Sequence, residues 1–275
     1  PRGKVEKTDY AAIADSLRPL LAKDSKAPAK GELRDRATYL LGWCLFKQEQ
    51  WGPAAQTFES LIAAEEAAIR VDKKRPPSKL LASAYFQAAE SRRRMKEFGP
   101  ANELFAKAAK LRGTASKEDQ DDMLLRLAQL QAINNQWKQS LQSAESLLRS
   151  FPDSKLKYEA LFAVGWAYEN QKKYRDAMSR YRQVVAANVR NEVSARSQFQ
   201  LAECHFAQGQ HDDAIVAFNL VITKYGLDRW NSVALLGMGR CFQAQGKAVQ
   251  ARAYFDDVIL KHPNTAAAEV AADLL

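Results

Sequence analysis

Six times along this chain a small residue is followed twelve positions later by Ala or Ser, and four positions after that by a residue that is aromatic in five of the six cases. The small residues are Gly42, Ala89, Ala128, Gly165, Ala202 and Gly239. The second set is Ala54, Ala101, Ser140, Ala177, Ala214 and Ala251, and the third is Phe58, Phe105, Ala144, Tyr181, Phe218 and Phe255. The last four small residues recur every 37 positions, and the two earlier gaps are 39 and 47. A fixed period of this size is the mark of a repeat array. One such unit cannot bury a core by itself, so neighbours stack and the array forms one continuous body. With 47% hydrophobic and 27% charged residues, the chain has enough apolar material for that core.

Within a unit the spacing predicts a helical hairpin. Leu161, Val164, Gly165 and Tyr168 fall on one face of a first helix, Asn170–Lys173 interrupts the pattern, and Ala177, Tyr181 and Val184 form the stripe of a second helix. Gly165 and Ala177 are small enough to let the helices approach, and Tyr181 fills the space beside them. Leu201, Ala202, Ala214, Phe218 and Val221 repeat this logic, as do Met238, Gly239, Ala251, Phe255 and Val258. Gly209 and Gly246 fall in the turns, where positive φ is useful. Pro152 and Pro263 fall just past second helices, which they cannot continue.

This pattern resembles the tetratricopeptide repeat. The likeness spans about residues 35–275 and rests on Leu161, Val164, Gly165, Tyr168, Ala177, Tyr181 and Val184. It also rests on Trp51, Phe98, Trp137, Tyr174 and His211 ahead of each second helix. Arg92 and Gln131 stand where that family has an aromatic residue, and Ala144 is small for its slot. The resemblance implies an all-α fold, a right-handed superhelical α-solenoid of about six hairpins. Residues 1–34 would be an N-terminal helix and linker. Residues 35–265 would hold six repeats starting near 35, 82, 121, 158, 195 and 232, and 266–275 a C-terminal helix that caps the array or opens a further repeat. The spacing, with the ending Lys261-His262-Pro263-Asn264-Thr265, looks like the bacterial cell-envelope branch of the family. That branch includes Tol–Pal-associated coordinators and outer-membrane-assembly lipoproteins. It favours a periplasmic or cell-envelope location, with the cytoplasm as the alternative.

Several stretches break the regularity. Between the first two units, Ala63–Arg70 extends a second helix, and Val71–Lys79, with Pro76 and Pro77, reads as a basic loop. Gly113–Asp122 is polar, and its acids from Asp119 onward suit a helix start. Tyr10–Ala22 reads as a short amphipathic helix and Ser25–Gly31 as a linker. Ala266–Leu275 is apolar nearly all round, so we expect either that the natural chain continues or that this helix docks on something. A start at Pro1, without Met or a signal-peptide pattern, suggests a piece of something longer.

Little here suggests catalysis. Cys44, Cys204 and Cys241 occupy one slot that elsewhere holds Ser91, Leu130 and Ala167, which is a packing slot. There is no C-x-x-C pair, and His205, His211 and His262 have no ligand-spaced partners. Gly237-Met238-Gly239 begins a dinucleotide fingerprint, but Phe242 stands at its third glycine, and Gly246-Lys247 is followed by Ala248 rather than Ser or Thr. We therefore expect no enzyme activity, catalytic residue, cofactor or metal. The chain has no apolar run of the roughly 20 residues a membrane span needs.

The resemblance implies that first helices line a concave groove. The residues expected to face it are Arg36, Tyr39, Trp43, Phe46, Phe86, Arg93, Leu125, Phe162, Trp166, Phe199, Phe206 and Arg240. Tyr39, Phe86, Leu125, Phe162, Phe199 and Leu236 share one repeat position and form an apolar ladder. They either pack between helices or bind a peptide or helix of another protein, since large apolar and Arg side chains dominate binding hot spots. Trp43, Glu90, Gln129, Trp166, Glu203 and Arg240 stand where the family's carboxylate clamp uses Lys and Asn, which argues against that mode. The expected function is a non-catalytic scaffold for another protein in bacterial envelope assembly or maintenance. The net charge of +9 raises nucleic acid or an anionic surface as an alternative, through the basic N-terminal half with Lys73–Arg75 and Arg92–Arg94. Acids interrupt that excess and the groove lacks polar base-reading positions, so nucleic acid is not the expected partner. A third reading is a structural segment of a larger multi-repeat protein, with contacts through the C-terminal helix.

Overall fold

The computed structural model describes residues 9–22, 31–111, 117–187 and 189–275, leaving aside the side chains of 117–119. Most of the expected 25–31 linker, the start of the polar stretch at 113–116 and the first residues, 1–5, lie outside the described residues. Among those described, every regular element is helical. In chain order they are α1 (Tyr10–Leu21), α2 (Gly31–Lys47), α3 (Trp51–Val71), α4 (Lys79–Arg94), α5 (Phe98–Lys110), α6 (Lys117–Ile133) and α7 (Trp137–Ser150). They continue with α8 (Lys157–Asn170), α9 (Tyr174–Ala186), α10 (Glu192–Ala207), α11 (His211–Leu220), α12 (Asp228–Ala244), α13 (Ala248–Lys261) and α14 (Ala266–Asp273). The chain divides into two compact units, the first ending at Gln136 and the second starting at Trp137.

The first helices begin one to four residues ahead of the expected repeat starts. The packed face reaches ahead of these starts, since Leu81 and Ser194 are buried and Val193 and Trp230 pack against the core. Asn191 caps α10 by accepting from the Ser194 amide at 3.0 Å, and Thr265 caps α14 by accepting from Ala268 at 3.2 Å.

The turns after first helices share one construction. One residue in each takes positive φ: Glu49, Lys96, Asn135, Lys172, Gly209 and Gly246. The next amide donates back across the helix end, as from Lys173 to the Tyr168 carbonyl at 3.0 Å and from Gln210 to His205 at 3.0 Å. This six-to-one bond is the Schellman closure, which satisfies carbonyls a helix end leaves open.

In the first unit, α2 pairs with α3 and α4 with α5. The expected extension is present, since α3 runs 21 residues. Its Glu65 is buried, accepts from the Ser78 amide at 2.9 Å and pairs with Arg75 at 3.1 Å. That carboxylate holds the 72–78 loop against the helix that precedes it. Arg92, in place of the family's aromatic residue, bonds both Glu59 oxygens at 2.8 and 2.7 Å and Glu97 at 2.8 Å. Charge-assisted bonds therefore join these helices where a ring does elsewhere.

In the second unit, α8–α9, α10–α11 and α12–α13 are hairpins. The small residues meet the aromatic ones as the spacing implies. A Cβ on Gly165 would stand 2.6 Å from the Tyr181 ring, and one on Gly239 would stand 2.4 Å from Phe255. Gly237 adds a contact the repeat pattern did not single out, because its Cβ would lie 2.5 Å from Phe218 of the preceding hairpin. A π-turn, Val221–Tyr225, also unforeseen, ends α11 and leads into Gly226 at φ 62°. The C-terminal α14 is not apolar on every exposed side. Ala267, Ala268 and Ala271 pack with Phe255 and Val258, while Glu269 and Asp273 are exposed.

Candidate interaction face of the first helices

Hairpin packing decides which expected groove residues can be reached. The ladder residues turn toward the aromatic side chain of their own second helix. Ring centroids are 5.5 Å apart for Tyr39–Phe58, 5.4 Å for Phe86–Phe105, 5.5 Å for Phe162–Tyr181 and 5.4 Å for Phe199–Phe218. Phe86, Leu125 and Phe162 are buried, Tyr39 and Phe199 are half-buried, and Leu236 packs against the Phe255 cluster. Much of the ladder therefore belongs to the core.

What remains accessible in the first unit is aromatic and cationic. Trp43 and Phe46 on α2 are half-buried and lie parallel at 5.9 Å, and Lys47 Nζ sits 4.4 Å over the Trp43 ring. Arg36 is exposed and tied to Glu32 at 2.7 Å. On α4, Arg93 forks onto the buried Glu90 carboxylate at 2.7 Å, with Arg126 of α6 3.6 Å from the same group.

The second unit combines aromatic surface with half-buried acid. Trp166 on α8 is half-buried and contacts Phe162 and Trp137, with centroids at 6.0 and 6.2 Å. The Arg196 guanidinium lies 4.1 Å from the Phe162 ring and 4.9 Å from Trp166, a cation–π arrangement. Below them the Tyr181 hydroxyl donates to Glu169 at 2.6 Å, and Gln200 donates to it at 3.3 Å. Burial pushes the Glu169 carboxyl up to about 7; the Tyr181 bond opposes this and the Glu203 charge adds to it. Burial also raises Glu203, while Arg240, 3.5 Å away, pulls it down. The Arg240 guanidinium rests 4.7 Å from the Phe206 ring. A cleft of about 380 Å³ opens beside this pair, walled by Phe206, Leu236, Val270 and Leu274.

The three thiols are buried. Burial raises all three, Cys241 to about 12, so none is a thiolate at neutral pH. The sequence pattern named Arg240, Phe206 and Leu236 and did not name Gln243, Val270 and Leu274, which also line this cleft. The signal for the last two was the apolar C-terminal helix. Its side next to α12 forms one wall. Among the described residues, no helix is long and apolar enough to cross a membrane.

Comparison with known proteins supports the all-helical repeat fold. No curated protein matches the chain. Among solved structures, PilW, described as a widely conserved type IV pilus biogenesis factor, superposes with a TM-score of 0.62 at 17% identity, covering 88% of this chain and 99% of its own. The C-terminal part of a TPR repeat-containing protein from Cytophaga hutchinsonii gives 0.65 at 13% identity, covering 95% and 94%. YrrB, described as a TPR protein with an unusual peptide-binding site, gives 0.50 at 18% identity, covering 76% and 98%. At these identities the likeness shows the fold alone. Two tetratricopeptide repeat models match the sequence, one over residues 162–228 and the other over 36–64 and 233–265, so those stretches are similar to tetratricopeptide repeats.

Proposed function

We propose that this chain is a non-catalytic scaffold that holds a peptide or helical segment of another protein on the faces of its first helices, in the assembly or upkeep of a bacterial cell envelope. The carrying observation is the set of half-exposed rings Trp43, Phe46, Trp166 and Phe206 on first helices, three of them with a cation over the face. Large rings left reachable between packed helices supply contact area at low entropic cost, which is the chemistry of a binding anchor. Two likenesses support the reading: YrrB carries a peptide-binding site by its description, and PilW is a pilus biogenesis factor.

The test is capture from bacterial extracts split into cytosol and envelope, with the wild-type chain and a Trp43→Ala/Trp166→Ala variant whose helicity is checked by circular dichroism. We expect an envelope protein that the wild type holds and the variant loses. Equal capture by a folded variant would remove these faces as the site, and capture only from cytosol would remove the envelope assignment.

A further inference from the structure

The cleft beside Arg240 has a chemistry that narrows what it takes. Phe206 from α10, Leu236 and Arg240 from α12, and Val270 and Leu274 from the α14 end wall it, with Gln243 also lining it. Its volume of about 380 Å³ is of the order that small binding sites occupy. Val270 is 45% exposed, and Arg240 is 39% exposed at its side chain. Among these six, Arg240 is the one charged side chain.

Its guanidinium is also pre-placed. It lies on the Phe206 ring and makes a single 3.5 Å ion pair, through Nη1, to Glu203. A guanidinium presents five N–H donors in a planar fork, so one long contact leaves most of that fork available. A carboxylate matches the fork in bidentate fashion, whereas an ammonium or guanidinium would be repelled by it. An apolar floor beside a held cationic fork is complementary to an apolar side chain that has an acid next to it.

We infer that the α10–α12–α14 cleft seats an internal segment of a partner protein, with a large apolar side chain in the cleft and a neighbouring Asp or Glu side chain on Arg240. This deepens the proposed scaffold function and rests on it.

A library of twelve-residue segments displayed with both ends fused, so that no terminal carboxylate is free, is selected on the immobilised chain. Enriched segments are then made with blocked ends, and their Kd values are measured by fluorescence anisotropy. We expect segments with an apolar residue within four positions of Asp or Glu. Changing that acid to its amide should weaken binding at least tenfold. So should Arg240→Gln, with Arg240→Lys intermediate because the charge stays and the fork is lost. Val270→Asp, at a position 45% exposed and with helicity checked by circular dichroism, should also abolish binding.

Segments that lose affinity with Trp43→Ala or Trp166→Ala, yet bind Arg240→Gln and Val270→Asp as well as wild type, would overturn this inference and leave the scaffold reading standing. Segments that bind only with a free C-terminus would assign the cleft to chain ends and overturn it too. Concentration-dependent dimerisation lost in Val270→Asp would give the cleft to a second copy. Failure to enrich any segment would overturn both readings.

Discussion

Glu169 shows how one residue on a packed face acquires unusual chemistry. Its carboxyl is enclosed by the hairpin, accepts from Tyr181 at 2.6 Å, and is held by burial at about 7 against an ordinary 4.5. The folded chain therefore keeps a proton between those values that the unfolded chain has released. Where the folded state binds more protons, stability falls as pH rises. The contribution is complete below about 4.5 and lost as pH passes through 7. Glu169→Gln keeps an oxygen for the Tyr181 hydroxyl and removes the titration. It should leave the Tm near wild type at pH 5 and raise it at pH 8 by roughly 3 °C or more. Thermal melts of both proteins at the two pH values decide the matter, and an equal change at both would show that burial of this carboxyl carries no such cost. Helical spacing from Phe162 and Trp166 places Glu169 on their face of α8. It could not expose the proton, which depends on how completely Tyr181 and the next first helix enclose the group.

At the scale of elements, the turns separate what spacing reveals from what it hides. Gly209 and Gly246 announced two turns by residue type. Glu49, Lys96, Asn135 and Lys172 sit in the same left-handed conformation with nothing in the side chain, Asn135 apart, to signal it. Only the repeat register places them. A left-handed residue with a Cβ costs about 1 kcal/mol relative to Gly. Lys172→Gly should therefore be neutral to stabilising, by up to about 1 kcal/mol, once the extra entropy of an unfolded glycine is counted. Gly209→Ala, at φ 73°, should cost about 1 kcal/mol. In urea titrations Gly209→Ala loses stability and Lys172→Gly does not if the shared turn geometry is right, and a destabilised Lys172→Gly would show that its side chain does something the turn itself does not need. Small-to-aromatic pairing between helices was legible for a related reason, because both partners stand at fixed spacing. The π-turn after α11 and the burial of Phe86, Leu125 and Phe162 were not, since these depend on which helix lies beside them. The anchoring of the 72–78 loop on Glu65 was hidden for the same reason: a buried acid reads in sequence like any solvated one.

For the whole chain, the repeat period establishes that each hairpin is stabilised by its own packing and by its neighbours. The period reads residues 121–157 as one unit, whereas α6 groups with the first compact unit and α7 with the second. A boundary of that kind is set by the balance of contacts around each helix, which no single repeat position encodes. In a quasi-one-dimensional array, damage in one hairpin is felt by its neighbours and fades with distance along the chain. Gly239 offers a clean way to apply it. A Cβ there would stand 2.4 Å from Phe255, so α12 and α13 must move apart to admit it. Ala89 and Ala202 occupy the equivalent slot opposite Phe105 and Phe218 and are fully buried, so an alanine can be housed once that spacing has adjusted. Gly239→Ala should therefore destabilise by about 1–3 kcal/mol without abolishing the fold. Hydrogen exchange should quicken in α12, α13 and α14 and in the adjoining α10–α11 hairpin, while amides of α2 to α5 keep wild-type protection. A uniform loss across both units would mean that the chain unfolds as one cooperative block. The stability of each first-helix face would then be a property of the entire array rather than of the hairpins that present it.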